Sequence, residues 1–493
     1  MDAPNLLTIE GRGGGAQLIV PPHPPLAAGE GSADAREGNA DRDKFDQSAG
    51  GTTAAAAAEA SVAEANPDDP DHDAKVVAFE RWLLGNGASF PRLEIRRYDP
   101  EVRGVHAKGE IDPDEVIVEI PLKCLVTVEM GKALPVGQAV LASGVSFDAP
   151  KHIFLMLFIL TDMRRPDTFF RPYYDLLPTT LSNMPIFWTE EEMRLLQGSY
   201  LVTQVEERNQ AIEGDYGVIC DLYPPFRDVA TLEEFKWARM CVCSRNFGLD
   251  INGLRTSALV PYADMLNHYR YGQKCNHRFL LNYGFAIENN QEANGFCPNE
   301  VPLLFRLDAR DPLRQKKARF WRMDGPEQRR VRLCVGDTDA VRGALSMLRV
   351  IVADAAEMVG VEEGARYMYR TVKDVRFPLS VRNEVAAMER LLLLTTGALD
   401  AYPTTLEEDR AALKNGGLEP FSNRRHALIQ VYGEKVVLAH YVDLAETALA
   451  CLTAVDTTEL VSRCRDKGKL IRDHCCGPIK NIYEQDRAKV VST

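Results

Sequence analysis

The stretch over residues 261–290 constrains this chain more than any other part of it. It reads PYADMLNHYRYGQKCNHRFLLNYGFAIENN and contains an Asn-His pair, a Tyr-Gly pair and a Tyr-Gly-Phe triplet, with a Ser-Arg-Asn triplet shortly before it. An Asn-His pair on its own usually belongs to an ordinary polar loop. The combination with the motifs around it favours a functional site.

Length and charge limit the kind of protein this can be. The chain has 493 residues, more than a single hydrophobic core usually supports, so two or three domains are expected. Its formal net charge of −13 offers no basic surface to a nucleic acid, and DNA or RNA binding is not expected. No run approaches the roughly eighteen apolar residues of a membrane span, so no membrane partner is expected.

The cysteines and the first residues bear on the compartment. The chain has 11 cysteines, an odd number scattered along the sequence, which suits a reducing compartment better than a disulfide framework. Acidic residues such as Asp2, Glu10 and Glu30 argue against an organelle transit peptide, because such peptides contain few acids. We expect a cytoplasmic or nuclear protein.

The first part of the chain divides into a tail and an ordered region. Residues 1–72 are dominated by Gly, Ala, Pro and Asp and have no lasting apolar period, which predicts a disordered low-complexity tail. Residues 78–87 predict a helix that ends at a glycine. The alternating apolar residues of 116–120 predict a strand that Pro121 ends.

Helical patterns dominate the middle and the end of the chain. Residues 148–240 are helical in pattern, and Thr189 followed by Glu192 predicts a capping box at one helix start. Residues 296–335 contain two β-like runs, and helices follow from residue 339. Tyr402, Asp409, Arg424 and Arg425 could contact a protein substrate, although buried packing and capping are the favoured interpretation.

The order of these landmarks resembles that of the SET-domain protein methyltransferases, in the branch that includes the Rubisco large-subunit lysine methyltransferases and the actin-histidine methyltransferase. The landmarks are Arg103-Gly104-Val105, the run RPYYDLLP, the Ser-Arg-Asn triplet, the Asn-His pair, the YGF triplet and the C-terminal helices. The resemblance implies an α+β fold, in which a SET-domain β-fold with a helical insertion precedes an all-α substrate-binding domain. The implied segments are a SET domain over 73–335 with its insertion at about 148–240 and its C-terminal motifs at 245–290, a helical Rubisco-LSMT-like substrate-binding domain over 336–455 and a charged extension over 456–493.

The resemblance also implies an activity and a set of site residues. The cofactor would be S-adenosylmethionine, and the enzyme would be a monomer. The substrate would be a protein that is methylated on a lysine or, as the second possibility, on a histidine. Tyr271 matches the catalytic tyrosine of the methyl-transfer channel, where its hydroxyl can direct the lone pair of the nucleophile. The matching cofactor-binding positions are Val102, Arg103, Gly104, Arg245, Asp264, Met265, Leu266, Asn267, His268, Tyr283, Gly284 and Phe285.

The residue types at these positions suit that chemistry. Arginine and asparagine side chains bind a carboxylate directionally, and the faces of Tyr271, Tyr283 and Phe285 can stabilise a sulfonium through cation–π attraction. A lysine nucleophile must first lose a proton, at a cost of about 4.5 kcal/mol at pH 7. A histidine is already mostly neutral there, so the sequence permits either substrate residue.

One part of the family pattern is missing from this chain. In the family, several short strands, on the order of thirty residues, separate the Asn-His loop from the Tyr-Gly pair. In this chain only Tyr269 and Arg270 lie between them. Two residues are too few for an average strand of about five residues. The neighbouring strands are expected to have unpaired edges. The alternative function is therefore a catalytically inactive SET-like module that binds proteins, and a structural helical scaffold is a third.

Three cysteine and histidine groups raise the question of zinc. They are Cys241-x-Cys243, Cys275-x-His277 and His474-Cys475-Cys476. Their spacing lacks the paired Cys-x2-Cys pattern of structural zinc sites, so no metal is predicted.

Overall fold

The computed structural model describes residues 6–12, 15–19, 70–97, 103–112, 114–251, 253–266, 273–292, 295–321, 328–335, 337–367, 375 and 377–491. These residues belong to two compact units. Unit 1 comprises Met1–Ser182 and Glu207–Gly272, and unit 2 comprises Asn183–Glu206 and Gln273–Thr493. Both contain helices and antiparallel strands, so the chain is an α+β protein, as expected.

Short strands and helices follow one another along the chain. The strands are β1 (Leu6–Arg12), β2 (Gly15–Ile19), β3 (Leu93–Arg97), β4 (Arg103–Ala107), β5 (Glu115–Pro121), β6 (Val126–Thr127), β7 (Asn246–Ile251), β8 (Leu254–Leu259), β9 (Glu300–Arg306) and β10 (Gln328–Cys334). The helices are α1 (Pro70–Gly85), α2 (Val128–Ala133), α3 (Pro135–Ser143), α4 (Pro150–Asp162), α5 (Arg171–Tyr174), α6 (Glu190–Arg194), α7 (Tyr200–Leu222), α8 (Phe226–Val229), α9 (Leu232–Arg245), α10 (Asn276–Tyr283), α11 (Arg314–Phe320), α12 (Thr338–Ile351), α13 (Ala355–Tyr367), α14 (Val381–Leu399), α15 (Leu406–Lys414), α16 (Asn423–Leu452), α17 (Thr457–Cys464), α18 (Lys469–His474) and α19 (Lys480–Val491).

Unit 1 is built from small antiparallel sheets beside helices. The strand orders are β2-β1-β5, β3-β4 and β6-β8-β7. The predicted strand at 116–120 is β5, and the inward-facing Val118 and Ile120 are fully buried. The strand was therefore predicted correctly, but the alternation holds only in part, because Val116 is 40% exposed and Ile117 is buried as well.

The N-terminal residues differ from the predicted disordered tail. Strand β1 pairs with β2 and, on its other side, with β5, where Leu7 lies opposite Ile120 and Ile9 opposite Val118. The prediction for residues 1–72 is therefore wrong at β1 and β2. Composition over the whole segment concealed two short apolar runs, LLTI and QLI, which lie in these strands. Residues 20–69 lie outside the described structure.

Helix α4 forms much of the core of unit 1. Pro150 occupies its first turn, where a missing N–H costs nothing, and Ile153, Leu155 and Leu157 are among its fully buried side chains. Helix α2 packs so closely on α4 that a Cβ atom built on Gly131 would lie 1.8 Å from the carbonyl oxygen of Phe154. Only a glycine fits this helix contact.

Replacing Gly131 by alanine is expected to destabilise the protein by about 1–3 kcal/mol, because the two helix backbones must separate to admit a methyl group. Chemical denaturation of the purified chain measures the change. The matched control is Gly343→Ala in helix α12, where an added Cβ meets nothing within 4 Å. That variant is expected to be neutral or stabilised by up to about 1 kcal/mol, since alanine favours the helix. Equal stability of the two variants would contradict the close helix contact.

Unit 2 has one large core formed mainly by its helices. Helix α16, of 30 residues, buries Val437, Leu438 and Tyr441 in it, and α14 packs along α16. Strands β9 and β10 pair in antiparallel register and bury side chains in the same core. The structure thus groups residues 273–335 with the C-terminal helices, whereas the sequence analysis assigned them to the first folded domain. In the part of the chain that the structure describes, no helix is long and apolar enough to cross a bilayer.

Two buried ion pairs lie within unit 2. The guanidinium of Arg349 donates hydrogen bonds of 2.7 and 2.8 Å to the two carboxylate oxygens of Glu384, and these side chains are 1% and 0% exposed. The ammonium of Lys435 lies 2.6 Å from Asp409, with both side chains 1% exposed. Asp409 is therefore a buried packing residue, as the favoured interpretation predicted. Breaking such a pair leaves a buried charge without its counter-charge.

Candidate active site

The carboxyl group of Asp264 lies at the centre of the candidate site in unit 1. Asp264 belongs to a short 3-10 turn, Ala263–Met265, and its side chain is 2% exposed. The Tyr173 hydroxyl donates a 2.9 Å hydrogen bond to its Oδ2. The Nε atom of Arg245, the last residue of helix α9, lies 3.7 Å from the same oxygen. Three segments far apart in sequence therefore meet at one carboxyl group.

The backbone before Asp264 is strained. Tyr262 has a φ angle of +75° and a ψ angle of −48°, a conformation that costs a residue with a side chain about 1–3 kcal/mol. The Tyr262 ring is fully buried and stacks on Phe90 with a centroid distance of 4.1 Å. This packing holds the turn in place and so fixes the direction of the Asp264 carboxyl group.

Arg103, the first residue of strand β4, adds a second guanidinium near Asp264. Burial and the positive charge of Arg245 lower the pKa of Arg103 to about 10, while the charge of Asp264 acts in the opposite direction. Burial also raises the pKa of Asp264, against the effect of Arg245, Tyr173 and Arg103. The two arginines and one aspartate therefore form a partly buried group with more positive than negative charge.

The unpaired atoms of this group indicate what it can bind. Among the described residues, the Nε atom of Arg103 and the Oδ1 atom of Asp264 are buried and have no hydrogen-bond partner. A carboxylate can accept from the guanidinium, and an ammonium can donate to the Asp264 carboxylate. An amino-acid zwitterion carries both groups, so the site is complementary to the main-chain end of an amino acid.

The sequence analysis gave Tyr173 no chemical role. It belongs to the run RPYYDLLP, which served only as a landmark of the helical insertion. Burial and the neighbouring Asp264 raise the pKa of Tyr173 well above its usual value, so its hydroxyl stays protonated and can donate. Two adjacent tyrosines before an aspartate are the only local signal, and a partner 91 residues away cannot be read from it.

Several predicted site residues come together in unit 1. Strand β4 contains Arg103 and Gly104, and its Val105 forms a parallel bridge with Leu266, directly after the Asp264 turn. The first predicted cofactor motif and the segment before the Asn-His pair are therefore neighbours. Four other predicted residues lie outside the described residues, so their roles stay predictions: Val102, Asn267, His268 and Tyr271.

The remaining predicted residues, Tyr283, Gly284 and Phe285, lie in unit 2. Helix α10 ends at Tyr283, and Gly284 adopts a left-handed conformation with φ of +78°. A Cβ atom on Gly284 would lie 2.2 Å from the side-chain nitrogen of Asn183, so both φ and space require glycine. The Phe285 ring stacks on Phe279 at 5.2 Å and lies 6.1 Å from Tyr283, which gives an aromatic cluster.

Unit 2 also contains a group of possible metal ligands. Ligand atoms of Cys275, His277 and Glu300 all lie within 4.8 Å of one another. The sequence analysis predicted no metal because the spacing of Cys275 and His277 lacks a zinc pattern. Glu300 comes from strand β9, and only the fold brings it to the other two. Burial lowers the pKa of His277 to about 4, so its ring is neutral.

Comparisons with known proteins give three kinds of match. Residues 308–438 match the family model described as Rubisco LSMT substrate-binding. The chain is 27% identical to the actin-histidine N-methyltransferases of Callithrix jacchus and Homo sapiens over 410 residues, which covers 74% of this chain and 67% of each relative. The solved SET domain of LSMT bound to MeLysine and AdoHcy is similar with a TM-score of 0.65, at 22% identity, over 83% of this chain and 99% of that chain. Rubisco LSMT bound to AdoMet gives a TM-score of 0.62, at 22% identity, over 83% and 99%.

These matches bear on the fold and on the missing segment. The expected SET-domain fold followed by a helical substrate-binding domain is confirmed. The alignment with the relatives is 410 residues long, but it covers only 74% of this 493-residue chain, which is fewer than 410 residues. The aligned part of the relatives therefore includes segments that this chain lacks.

Proposed function

We propose that this chain belongs to the SET-domain branch with a Rubisco LSMT substrate-binding domain, and that it is a protein methyltransferase that uses S-adenosylmethionine. The methyl group goes to a lysine side chain of a protein substrate, with histidine as the second possibility. The related proteins include an actin-histidine N-methyltransferase and LSMT structures with a bound lysine, so both nucleophiles occur in the branch. The substrate protein would contact the C-terminal helical domain.

The partly buried group of Arg103, Asp264 and Arg245 carries this proposal. The amino-acid end of S-adenosylmethionine has a carboxylate and an ammonium. Among the described residues, Arg103 has an unpartnered Nε and Asp264 an unpartnered Oδ1. A hydrogen bond between charged groups is worth about 1.5–3 kcal/mol, and each would replace an unsatisfied buried atom. A carboxylate would also offset the repulsion between the two guanidiniums.

The other proposed roles follow from the chemistry of the transfer. The cofactor supplies an electrophilic methyl group on a sulfonium when it is bound. Tyr271 would direct the lone pair of the nucleophile, and the rings of Tyr283 and Phe285 would stabilise positive charge. Asn267 and His268 would bind the cofactor beside Met265 and Leu266, while Val102 and Gly104 would let the backbone approach it closely. We further propose a cytoplasmic or nuclear location for this monomeric enzyme.

Cofactor binding gives the first test. S-adenosylmethionine at a hundred times its dissociation constant is expected to stabilise the full chain by about 2.7 kcal/mol, measured by thermal denaturation. Arg245→Met is expected to weaken binding by about 10- to 100-fold, because it removes one charged partner of the carboxylate. The control is Arg255→Met, an exposed arginine of strand β8, which should keep the wild-type shift. No shift in the wild type would overturn the proposal.

The accepting residue is a separate question with its own measurement. The enzyme, labelled S-adenosylmethionine and a cell extract are incubated together, and labelled proteins are digested and sequenced by mass spectrometry. Methyllysine in the labelled peptides supports the first choice, and methylhistidine the second. Label on neither residue would exclude both, whatever the cofactor-binding result.

A catalytically inactive protein-binding module is the second candidate. The aligned segments that this chain lacks, together with the two-residue gap between His268 and Tyr271, favour it. This candidate predicts no labelled product in the same incubation, whether or not S-adenosylmethionine stabilises the chain against thermal denaturation. Labelled product that disappears in the Tyr271→Phe variant would exclude it.

A further inference from the structure

We propose that unit 2 contains a zinc site formed by the Cys275 Sγ, the His277 Nε2 and the Glu300 Oε1. Cys275 immediately precedes helix α10, His277 lies in its first turn and Glu300 begins strand β9. Cys275 is 3% and His277 4% exposed, and the Glu300 side chain is 12% exposed. The site belongs to unit 2, whereas Arg103, Asp264 and Arg245 belong to unit 1, and it does not depend on the proposed methyl transfer.

Two of the three distances between the ligand atoms suit a tetrahedral zinc ion, and the third is within 4.8 Å. Zinc binds sulfur at about 2.3 Å and nitrogen or oxygen at about 2.0–2.2 Å, so a tetrahedral angle places sulfur and nitrogen about 3.5 Å apart and nitrogen and oxygen about 3.4 Å apart. The observed distances are 3.2 Å from the Cys275 Sγ to the His277 Nε2 and 3.8 Å from that nitrogen to the Glu300 Oε1. Each differs from the tetrahedral value by only a few tenths of an ångström.

A single hydrogen bond can join only two of these three atoms. A neutral imidazole nitrogen either donates or accepts, so one proton at most lies between the Cys275 Sγ and the His277 Nε2. The Glu300 Oε1 lies 3.8 Å from the same nitrogen, too far for a hydrogen bond. Three electron-pair donors therefore lie close together, and a cation between them would bind all three. The thiolate among them favours zinc over magnesium or calcium.

Neighbouring hydrogen bonds fix the two segments that supply the ligands. The side-chain oxygen of Asn299 accepts from the Asn276 backbone N–H at 3.0 Å, which ties the Cys275 and His277 segment to the start of β9. Arg332, on the paired strand β10, lies 3.1 Å from the other Glu300 oxygen, Oε2, and leaves Oε1 directed at His277. Partners of this kind orient metal ligands in known sites.

A cavity lined by two of the three ligands, Cys275 and Glu300, can supply the fourth position. It has a volume of about 170 Å³, and Cys275, Glu300, Arg332 and Cys334 are among its lining residues. Cys334 lies directly opposite Glu300 in the β9–β10 register. The cavity is larger than one water molecule needs, so water can complete a four-coordinate zinc. An ion there would also hold Cys275, which lies four residues after Tyr271 in the sequence, in place.

A second group of thiols requires a control. The Cys464 Sγ lies 3.1 Å from the Cys476 Sγ in the C-terminal extension. Thiols bind zinc generally, so metal analysis alone would not distinguish this pair from the proposed site. Among the described residues, only the Cys275, His277 and Glu300 group places three ligand atoms within 4.8 Å of one another.

The experiment measures zinc in the full-length chain. The protein is stripped with a chelator, titrated with zinc against a competing chromophoric chelator, and examined after cobalt substitution for thiolate-to-cobalt absorption. The wild type is expected to bind about one ion per chain at this site with that absorption. Cys275→Ser and His277→Gln are expected to lower zinc affinity by more than about 100-fold, and Arg332→Gln by about 10- to 100-fold. Circular dichroism checks that each variant is folded.

Two controls decide where a bound ion lies. Cys220→Ser removes a buried thiol of unit 1, and the Cys464→Ser/Cys476→Ser double variant removes the second thiol pair. Both are expected to retain the wild-type zinc affinity and cobalt absorption. Absence of zinc binding by the wild type would overturn the proposal. Zinc binding that persists in the Cys275→Ser and Glu300→Gln variants but is lost in the Cys464→Ser/Cys476→Ser double variant would also overturn the proposal.

Discussion

Replacement of Glu384 by alanine is expected to lower the free energy of unfolding by about 3–5 kcal/mol, because the Arg349 guanidinium stays buried without its counter-charge. Arg349 is 1% exposed and donates two hydrogen bonds to Glu384, joining helices α12 and α14. Urea denaturation measures the change through the transition midpoint. The control is Glu362→Ala, which breaks a partly exposed 3.0 Å pair with Lys316 and should cost at most about 1 kcal/mol.

The double variant Arg349→Met/Glu384→Leu distinguishes the loss of the pair from the loss of packing. Replacing both charges by apolar side chains of similar size is often neutral or stabilising, so this variant should be more stable than Glu384→Ala by several kcal/mol. A double variant no more stable than Glu384→Ala would show that shape at this position, rather than the uncompensated charge, controls stability.

The same pair predicts a dependence of stability on acid. Burial acts to raise the pKa of Glu384, but the charge and hydrogen bonds of Arg349, with a contribution from His474, outweigh it and lower the pKa from 4.5 to about 2. A carboxyl group with a lowered pKa in the folded state stabilises the protein above its unfolded pKa and loses that effect as pH falls. The wild type should therefore lose on the order of 3 kcal/mol between pH 4.5 and about 2. The double variant should lose less over the same range.

Replacement of Tyr271 by phenylalanine is expected to lower the rate of methyl transfer by about 10²- to 10³-fold, the effect of removing one positioned hydrogen-bonding group from an active site. The ring remains, so its cation–π contribution and the binding of S-adenosylmethionine should change little. Transfer of labelled methyl to the substrate protein measures the rate, and thermal denaturation measures cofactor binding. This separates the role of the hydroxyl from that of the pocket.

The control for Tyr271 is another tyrosine of the same segment. Tyr269→Phe removes a hydroxyl two residues away, at a position to which no role is assigned, and should retain most of the activity. Equal activity of the Tyr271→Phe variant and the wild type would exclude Tyr271 as the catalytic tyrosine. Equal losses in both variants would indicate a general effect on the segment.

Features that depend on nearby residues were predictable from the sequence. The capping box of Thr189 and Glu192 is confirmed, with the Glu192 side chain accepting from the Thr189 backbone N–H at 2.9 Å. Its partners are three residues apart, so the pattern of residue types is enough to identify it. The strand ended by Pro121 follows from the same kind of local rule.

Features that depend on distant residues were not predictable in this way. Tyr173 and Asp264 meet only because helix α5 and the turn after β8 pack together, and no periodicity links residues 91 apart. Glu300 joins Cys275 and His277 by the same kind of contact, which is why their spacing alone argued against a metal. Strands β1 and β2 were missed for a third reason, because average composition hides short segments whose partner lies elsewhere in the chain.

The pairing of β1 with β5 changes what the N-terminal segment is. Strand β1 lies between β2 and β5, so the first described residues of the chain are part of the fold of unit 1. Deleting residues 1–19 would therefore remove a neighbour from β5 and leave its backbone groups available to another strand.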